Sequence, residues 1–205
     1  MTSNHSYEAD LFGDPLPIDE THLRALRDRL VVGAESAGVL DVGYRTIDTP
    51  VGTLLLAATA LGLIRVAFDR EGLEAVLGSL ADKVSPRILK APKRLDNAAR
   101  ELDEYFAGRR RSFDLLLDLS LSKGFRRAVL GYLPGIRYGQ TASYAAVAAA
   151  IGNPKAVRAV GTACATNPLP VVVPCHRVIR SDGQVGAYGG GAEAKKVLLE
   201  LEGAA

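Results

Sequence analysis

The composition of residues 42–68 constrains the fold more than any other feature of this chain. Three runs with the composition of β-strands follow one another there, at 42–48, 53–58 and 63–68. The first run alternates apolar and polar residues, and the other two are almost continuously apolar. Short turns that end in Gly52 and Gly62 separate them. Runs of this kind divided by tight turns are typical of strands joined by hairpins, so the sequence predicts a three-stranded β-meander.

Helical spacing begins after the predicted meander. Apolar residues recur three and four positions apart at 73–84 and more strongly at 88–106, where Gly108 is a stop signal. The run 113–117 could add one further strand. We therefore expect an α/β N-terminal domain at 41–118 that consists of a small β-sheet with helices.

The second half of the chain is predicted to be mainly helical. Helical spacing occurs at 124–133, 141–151 and 155–165. Gly152, Asn153 and Pro154 separate the last two segments, and Pro154 suits the start of a helix. Two short helices joined by a tight turn are the outline of a helix-turn-helix motif, although many unrelated helical pairs share it. We expect this motif within a mainly helical C-terminal domain at 119–205.

The first forty residues are predicted to be an acidic extension. They contain seven acidic and three basic side chains, a net charge of −4. Residues 19–32 have the spacing of an amphipathic helix, with Leu23, Leu26 and Leu30 on one face. The turn-forming residues 36–38 should end it.

The charge of residues 121–180 points to a polyanionic partner. This window contains eight basic residues and no acidic one, whereas the whole chain has a net charge of only +2. An acid-free window of sixty residues favours binding to nucleic acid, with a chance basic face as the alternative.

The cysteine content and the hydropathy pattern exclude several classes of protein. Two cysteines, Cys164 and Cys175, cannot form a disulfide framework or a structural zinc site. No apolar run approaches the length of a membrane span, and the N-terminus lacks the pattern of a signal peptide. We expect a soluble, reduced, cytoplasmic protein without a metal or cofactor, in which Cys164 is a small core residue.

The adjacent pair Cys175 and His176 is the strongest candidate for chemistry. It follows the apolar run 169–174, whose two prolines stiffen the backbone in front of the thiol. A thiolate nucleophile needs a nearby base or positive charge, which His176 and Arg177 can supply. From these residues alone, a buried structural cysteine beside a hydrogen-bonded histidine stays the alternative.

Several ordered segments resemble the O6-alkylguanine-DNA alkyltransferases, also called methylated-DNA–protein-cysteine methyltransferases. Residues 174–179, with the sequence PCHRVI, are similar to the active-site signature of that family. Further segments are similar to its recognition helices, active-site turn, pocket loop and closing helix, at 136–144, 153–161, 167–168, 183–191 and 195–202. The resemblance covers about residues 121 to 202.

The resemblance implies DNA repair by direct transfer of the alkyl group from O6-alkylguanine in duplex DNA to Cys175. The transfer is irreversible, so each molecule reacts once and no cofactor is needed. In such a protein His176 acts through a water as the base for the thiol, and Glu202 orients the imidazole. Tyr144 donates to the leaving guanine, and Asn167 braces the turn before the active-site run.

The resemblance also implies a mode of DNA binding. The helix-turn-helix would lie in the minor groove and flip the damaged base out of the duplex, with the Arg158 side chain filling the vacated place. The expected DNA-binding residues are Tyr144, Lys155, Ala156, Arg158 and Arg177. The expected pocket residues are Pro170, Val178, Gly186, Tyr188 and Gly189. The expected partner is double-stranded DNA that contains O6-alkylguanine, bound by a monomer; cooperative binding and repair of O4-alkylthymine stay open.

Three other functions remain as alternatives. An alkyltransferase-like protein flags the lesion without accepting the alkyl group, but such proteins lack the reactive cysteine that is present here as Cys175. A helix-turn-helix regulator would bind duplex DNA regardless of alkylation. A cysteine peptidase would need an oxyanion hole and a peptide cleft, for which the sequence has no separate signal.

Overall fold

The computed structural model describes residues 19–204 of the chain. Its main sheet has four strands, β1 (Val42–Thr49), β2 (Gly52–Thr59), β3 (Gly62–Phe68) and β4 (Ile88–Lys90). The spatial order is β3-β2-β1-β4; the first three strands are antiparallel neighbours, and β4 lies parallel to β1. The predicted β-meander is confirmed.

Both faces of this sheet are buried. Two helices cover it, α2 (Leu73–Lys83) and α3 (Asp96–Phe106). On one face Leu55 packs in a core with Val76 of α2. On the other face Leu54 belongs to a larger core that includes Leu102 of α3 and much of the C-terminal half. Because neighbouring side chains of a strand point to opposite faces, β2 must be apolar at successive positions.

The long helix predicted at 88–106 is wrong for residues 88–95. Residues 88–90 form β4, and α3 begins only at Asp96. Pro92 explains the break, since a proline inside a helix lacks an amide donor and its ring clashes with the carbonyl four residues earlier, here that of Ile88. Pro92 instead begins a short 3₁₀ turn, where its fixed φ is tolerated.

The run 113–117 does not form the further strand that its composition suggested. Leu117 forms an isolated parallel bridge with Leu63, and the Leu63 amide donates to the Leu116 carbonyl at 2.8 Å. The segment thus lies along the outer edge of β3 and satisfies main-chain groups that the edge strand would otherwise expose.

The C-terminal half is mainly helical, as predicted. Its helices are α4 (Gly124–Tyr132), α5 (Tyr144–Ala150), α6 (Val157–Ala165) and α7 (Gly191–Leu201). Two short strands, β5 (Ala142–Ser143) and β6 (Val178–Ile179), pair in parallel and connect the start of α5 to the active-site segment.

Helices α5 and α6 both begin later than predicted. Residues 142–143 are held in β5, and the Ser143 hydroxyl then caps α5 by accepting from the Ala146 amide at 3.0 Å. Helix α6 begins at Val157 instead of Lys155. Pro154 therefore lies in the turn between the helices and does not occupy the first helical turn.

Helix α1 (Glu20–Ser36) lies within the predicted acidic extension and is capped by the Asp19 carboxylate. The predicted helix is confirmed, but its apolar face is not buried, since Leu26 and Leu30 are 44 % and 57 % exposed. Residues 1–18, which contain the rest of the extension, lie outside the described part of the chain.

Within residues 19–204, no helix is long and apolar enough to cross a membrane. The same part of the chain contains no cluster of three histidine, cysteine, aspartate or glutamate side chains placed to hold a metal ion. Cys164 and Cys175 are both buried and free.

Candidate active site

The segment in front of Cys175 is a buried, strained turn. Every residue from 167 to 178 is buried, and Val171 has a left-handed φ of 71°. That conformation is costly for a β-branched residue and persists only where packing enforces it. The N-terminal half of the chain also holds this turn, because the Val66 amide of β3 donates to the Pro168 carbonyl at 2.8 Å.

The thiol of Cys175 is held by Asn167. The Asn167 side-chain amide donates to the Cys175 Sγ at 3.1 Å and to the Val173 carbonyl at 2.8 Å. Its carbonyl oxygen accepts from the Leu169 amide at 2.9 Å. Burial raises the pKa of Cys175 to about 11, although the hydrogen bond from Asn167 acts in the opposite direction. The resting site therefore contains a protonated thiol that needs a base.

The His176 ring is neutral at neutral pH. Its ring is fully buried, and its Nε2 lies 2.9 Å from Oε1 of Glu202. Burial lowers the pKa of His176, and the neighbouring Glu202 carboxylate only partly opposes this effect. Because an ionised carboxylate can only accept, the proton of the neutral ring is on Nε2. The Nδ1 atom is then an acceptor; it is buried and has no hydrogen-bond partner among the described residues.

The Glu202 carboxylate accepts more hydrogen bonds than any other described charged group of the site. Its Oε1 accepts from His176, from the Arg177 guanidinium at 3.0 Å and from the Tyr105 hydroxyl at 2.7 Å. Its Oε2 accepts from the Arg177 Nε at 2.9 Å and from the Gly139 amide at 3.3 Å. Burial alone would raise the pKa of Glu202, but the hydrogen bonds from His176 and Arg177 outweigh it and lower the value to about 2.

Arg177 is buried against Glu202, which contradicts its assignment as a DNA-binding residue. Its side chain is buried, pairs with Glu202 and donates to the Ile136 carbonyl at 2.5 Å. A guanidinium that is fully engaged by a buried carboxylate is unavailable to a phosphate. The basic side chain that follows the Cys175–His176 pair therefore holds the Glu202 carboxylate.

Tyr144 lies at the start of α5, against the loop that contains Gly186. A Cβ added at Gly186 would overlap the Tyr144 hydroxyl, so only glycine lets the loop approach this closely. Burial raises the pKa of Tyr144 to about 12, which keeps its phenol protonated and able to donate. The buried ammonium of Lys195 lies 6.0 Å from the centre of the Tyr144 ring.

The five predicted pocket residues differ in exposure. Pro170, Val178 and Tyr188 are buried, Gly186 is half-buried and Gly189 is exposed. The Tyr188 ring meets the His176 ring edge-on, with the ring centres 6.4 Å apart. Tyr188 therefore lies against the imidazole, while Gly186 lies against Tyr144.

Two site residues were not singled out from the sequence. Lys195 of α7 is fully buried and donates to the Val178 carbonyl at 2.5 Å, and Tyr105 of α3 is fully buried against Glu202. A lysine or tyrosine in a helix has no sequence signal that separates such a role from an ordinary surface or core position. Only the packing of distant segments reveals them.

The predicted DNA-contacting side chains of α6 and of the turn before it point outward. Lys155 and Arg158 are exposed, and Ala156 is half-buried between them. No described acidic side chain forms a salt bridge with Lys155 or Arg158. Both charges are therefore available to a polyanion.

A groove of about 690 Å³ adjoins the site. It lies between α2, the start of α4 and the end of α6, and it touches Asn167, Pro170 and Gly189. Cys175 does not line it, and its side chain is 2 % exposed. The thiol is therefore almost completely closed off from solvent.

The family comparison agrees with this arrangement. The description "6-O-methylguanine DNA methyltransferase, DNA binding domain" matches residues 124–204. The description "6-O-methylguanine DNA methyltransferase, ribonuclease-like domain" matches residues 42–119. The chain belongs to this family. The recognition made from the 174–179 motif is confirmed.

Individual relatives support the same family over most of the chain. The methylated-DNA–protein-cysteine methyltransferase of Mycolicibacterium paratuberculosis is 40 % identical over 161 residues, which cover 78 % of this chain and 92 % of the relative. The crystal structure of Mycobacterium tuberculosis O6-methylguanine methyltransferase is similar with a TM-score of 0.69 and 39 % identity, covering 79 % and 93 % of the two chains. The structure of M. tuberculosis OGT in complex with DNA is similar with a TM-score of 0.67 and 40 % identity, covering 78 % and 92 %.

Proposed function

We propose that this protein repairs DNA as a methylated-DNA–protein-cysteine methyltransferase that transfers the alkyl group of O6-alkylguanine to its own Cys175. The observation that supports this most strongly is the buried series Asn167, Cys175, His176 and Glu202, in a chain of the 6-O-methylguanine DNA methyltransferase family. The product is a thioether, which is not hydrolysed, so each molecule reacts once. No cofactor takes part.

The first step is deprotonation of the thiol. The proton of Cys175 passes through a water to Nδ1 of His176, the one ring nitrogen that Glu202 leaves free. The resulting imidazolium is stabilised by the Glu202 carboxylate, which stays ionised because of its low pKa. The thiolate attacks the alkyl carbon, the S–C bond forms, and the C–O6 bond breaks with its electrons moving to the guanine.

Tyr144 assists departure of the guanine. As negative charge develops on the base, the Tyr144 phenol gives its proton to the guanine, and the proton held by His176 passes through solvent to the Tyr144 oxygen, which restores the phenol and the neutral imidazole. Overall the thiol proton replaces the alkyl group on guanine. The pocket for the base is formed by Pro170, Val178, Gly186, Tyr188 and Gly189.

Duplex DNA is bound through α5 and α6, which we assign as a helix-turn-helix. Tyr144, Lys155 and Ala156 contact the DNA, and the Arg158 side chain enters the base stack through the minor groove and fills the place that the flipped base leaves. The exposure of Lys155 and Arg158 supports this assignment. The burial of the Cys175 sulfur also supports flipping, because a base inside a duplex cannot reach it.

The domain organisation belongs to the same proposal. An α/β domain at 41–118 supports the alkyltransferase domain at 119–205, and the acidic extension at 1–40 is accessory to the reaction. The protein acts as a monomer on each lesion. In support, no described residue of α1 is buried, so the helix contributes little to the cores that hold the site.

Stoichiometric repair tests the proposal. A duplex with one O6-methylguanine inside a restriction site is titrated with the protein, and restored cleavage is counted. We expect repair to stop at one lesion per protein molecule and to be absent with Cys175→Ser. Repair beyond one lesion per protein, or tight lesion binding without repair, would contradict it. A parallel duplex with O4-methylthymine reports whether that base is also a substrate.

A further inference from the structure

Tyr105 joins the N-terminal half of the chain to the carboxylate of the active site. It lies near the end of α3, is fully buried and donates its hydroxyl to Oε1 of Glu202 at 2.7 Å. Its ring is fixed edge-on against Phe106 and tilted against Phe113, with ring centres 5.3 Å apart in both pairs. A side chain so enclosed has one orientation, and its hydroxyl points at the carboxylate.

Tyr105 differs from the other donors to Glu202 in where it comes from. The remaining described donors, Gly139, His176 and Arg177, all lie in the segment 124–204. Tyr105 lies in the segment 42–119 that matches the N-terminal family description. Burial and the nearby Glu202 charge raise the pKa of Tyr105, so the phenol is a permanent donor and never competes as an anion.

We propose that Tyr105 is a positioning residue of alkyl transfer, whose hydroxyl fixes the Glu202 carboxylate and limits how strongly that carboxylate favours protonation of His176. The proposal rests on the proposed function for its link to the reaction. Tyr105 and His176 share one acceptor atom, Oε1, at 2.7 and 2.9 Å. In a buried site a carboxylate that loses one donor becomes a stronger acceptor for those that remain.

The charged surroundings of His176 define the direction of the effect. Glu202 favours the imidazolium, whereas Arg177 and Lys195 disfavour it, and the Tyr188 ring packs against the imidazole without a charge. Removing the Tyr105 hydroxyl changes none of these charges. It leaves more of the Glu202 charge to be shared with His176, so the pKa of His176 should rise and the carboxylate should lose one of its fixed contacts.

The test compares Tyr105→Phe with Tyr138→Phe. Both variants lose one phenolic hydroxyl from the same aromatic cluster, but the Tyr138 hydroxyl donates to the Leu201 carbonyl at 2.8 Å and not to Glu202. Thermal unfolding first establishes that both variants are folded. The titration of His176 is then followed by NMR of imidazole nitrogens, which is practical because the chain has only three histidines.

With Tyr105→Phe we expect the His176 titration to move to higher pH and to remain in place with Tyr138→Phe. In single-turnover alkyl transfer at saturating protein, we expect the rate constant of Tyr105→Phe to fall about fivefold while its DNA affinity is unchanged. The acidic limb of its pH–rate profile should move to higher pH together with the His176 titration. An unmoved His176 titration, or an equal movement in Tyr138→Phe, would overturn the proposal. The His176 titration is measured without DNA, so it tests the effect of Tyr105 on His176 independently of alkyl transfer. Failure of the wild-type protein to transfer an alkyl group would refute the proposed function and would leave the result of the titration unaffected.

Discussion

At the scale of single residues, Asn167 holds both the thiol of Cys175 and the buried turn in front of it. It connects the thiol to two main-chain groups of the buried turn, the Val173 carbonyl and the Leu169 amide. Asn167→Ala leaves these buried groups without partners and removes a donor to the thiolate. We expect a loss of about 2–4 kcal/mol in the free energy of unfolding and a slower alkyl transfer.

Urea unfolding and single-turnover transfer measure the two effects of Asn167→Ala. The matched control is Asn97→Ala, at an exposed position of α3. It should change the free energy of unfolding by less than about 1 kcal/mol. Equal effects of the two substitutions would refute the role assigned to Asn167.

Protonation of Glu202 makes the free energy of unfolding depend on pH in the acidic range. Its pKa is lowered to about 2 from an ordinary value of 4.5, so its contribution is fully present above about pH 4.5 and is lost as pH falls towards 2. Glu202→Gln has no such titration. We therefore expect the difference in unfolding free energy between wild type and Glu202→Gln to shrink as pH is lowered from 5.5 to 3, measured in urea. A difference that stayed constant over this range would contradict the low pKa.

Through the resemblance, the sequence could name Cys175, His176 and Glu202, but it could not name the groups that hold the Glu202 carboxylate in place. Cys175 and His176 are adjacent, and the family motif assigns both. The partners of Glu202 are 25 and 97 positions away, at Arg177 and Tyr105. DNA binding by Arg177 was inferred from the resemblance, and only the fold reveals that its guanidinium is buried and paired with the Glu202 carboxylate.

At the scale of elements, the approach of the 183–190 loop to α5 depends on a glycine. Gly186→Ala would place a Cβ into the Tyr144 hydroxyl, and the phenol must move. We expect alkyl transfer to slow about tenfold or more while the free energy of unfolding changes by less than about 1 kcal/mol. Single-turnover rates and urea unfolding measure this. The matched control is Gly131→Ala in α4, where an added Cβ meets no atom within 4 Å; similar rates for both variants would refute the contact.

Helix α1 is an element whose apolar residues do not stabilise the fold. Leu26 and Leu30 are largely exposed, whereas Leu198 of α7 is fully buried. We expect the double substitution Leu26→Ala and Leu30→Ala to change the free energy of unfolding by less than about 1 kcal/mol. Leu198→Ala should cost about 2–5 kcal/mol by chemical denaturation. A comparable loss in both would mean that α1 packs against the rest of the chain.

The elements themselves were predictable where periodicity was unambiguous. The meander followed from turn glycines at Gly52 and Gly62, and α2 from its apolar spacing. The error at 88–106 arose partly because the prediction ran through Pro92, a helix breaker that the sequence already contains. It also arose because Ile88 and Leu89 fit both a helix and a strand, and pairing with β1 decided between them. The late start of α5 has the same cause, since pairing of β5 with β6 is a contact between distant residues.

At the scale of the whole molecule, charge should govern DNA affinity. Of the eight bases in residues 121–180, Arg177 is occupied by Glu202, which leaves at most seven for DNA. If four or five of them contact phosphates, the slope of log affinity against log salt is about −4. We expect Lys155→Ala to make this slope shallower by about one, measured by fluorescence anisotropy with duplex DNA. A salt-independent affinity would contradict the assignment of this surface.

The central claim is that Cys175 accepts the alkyl group from DNA, and peptide mass spectrometry tests it most directly. The protein is incubated with a duplex that contains one O6-methylguanine, beside Cys175→Ser and Cys164→Ser, which removes the other buried thiol. We predict one added methyl group per protein on the peptide that contains Cys175, in wild type and Cys164→Ser alike, and none in Cys175→Ser. A methyl group on another residue, or no added mass after the lesion has been bound, would contradict the claim.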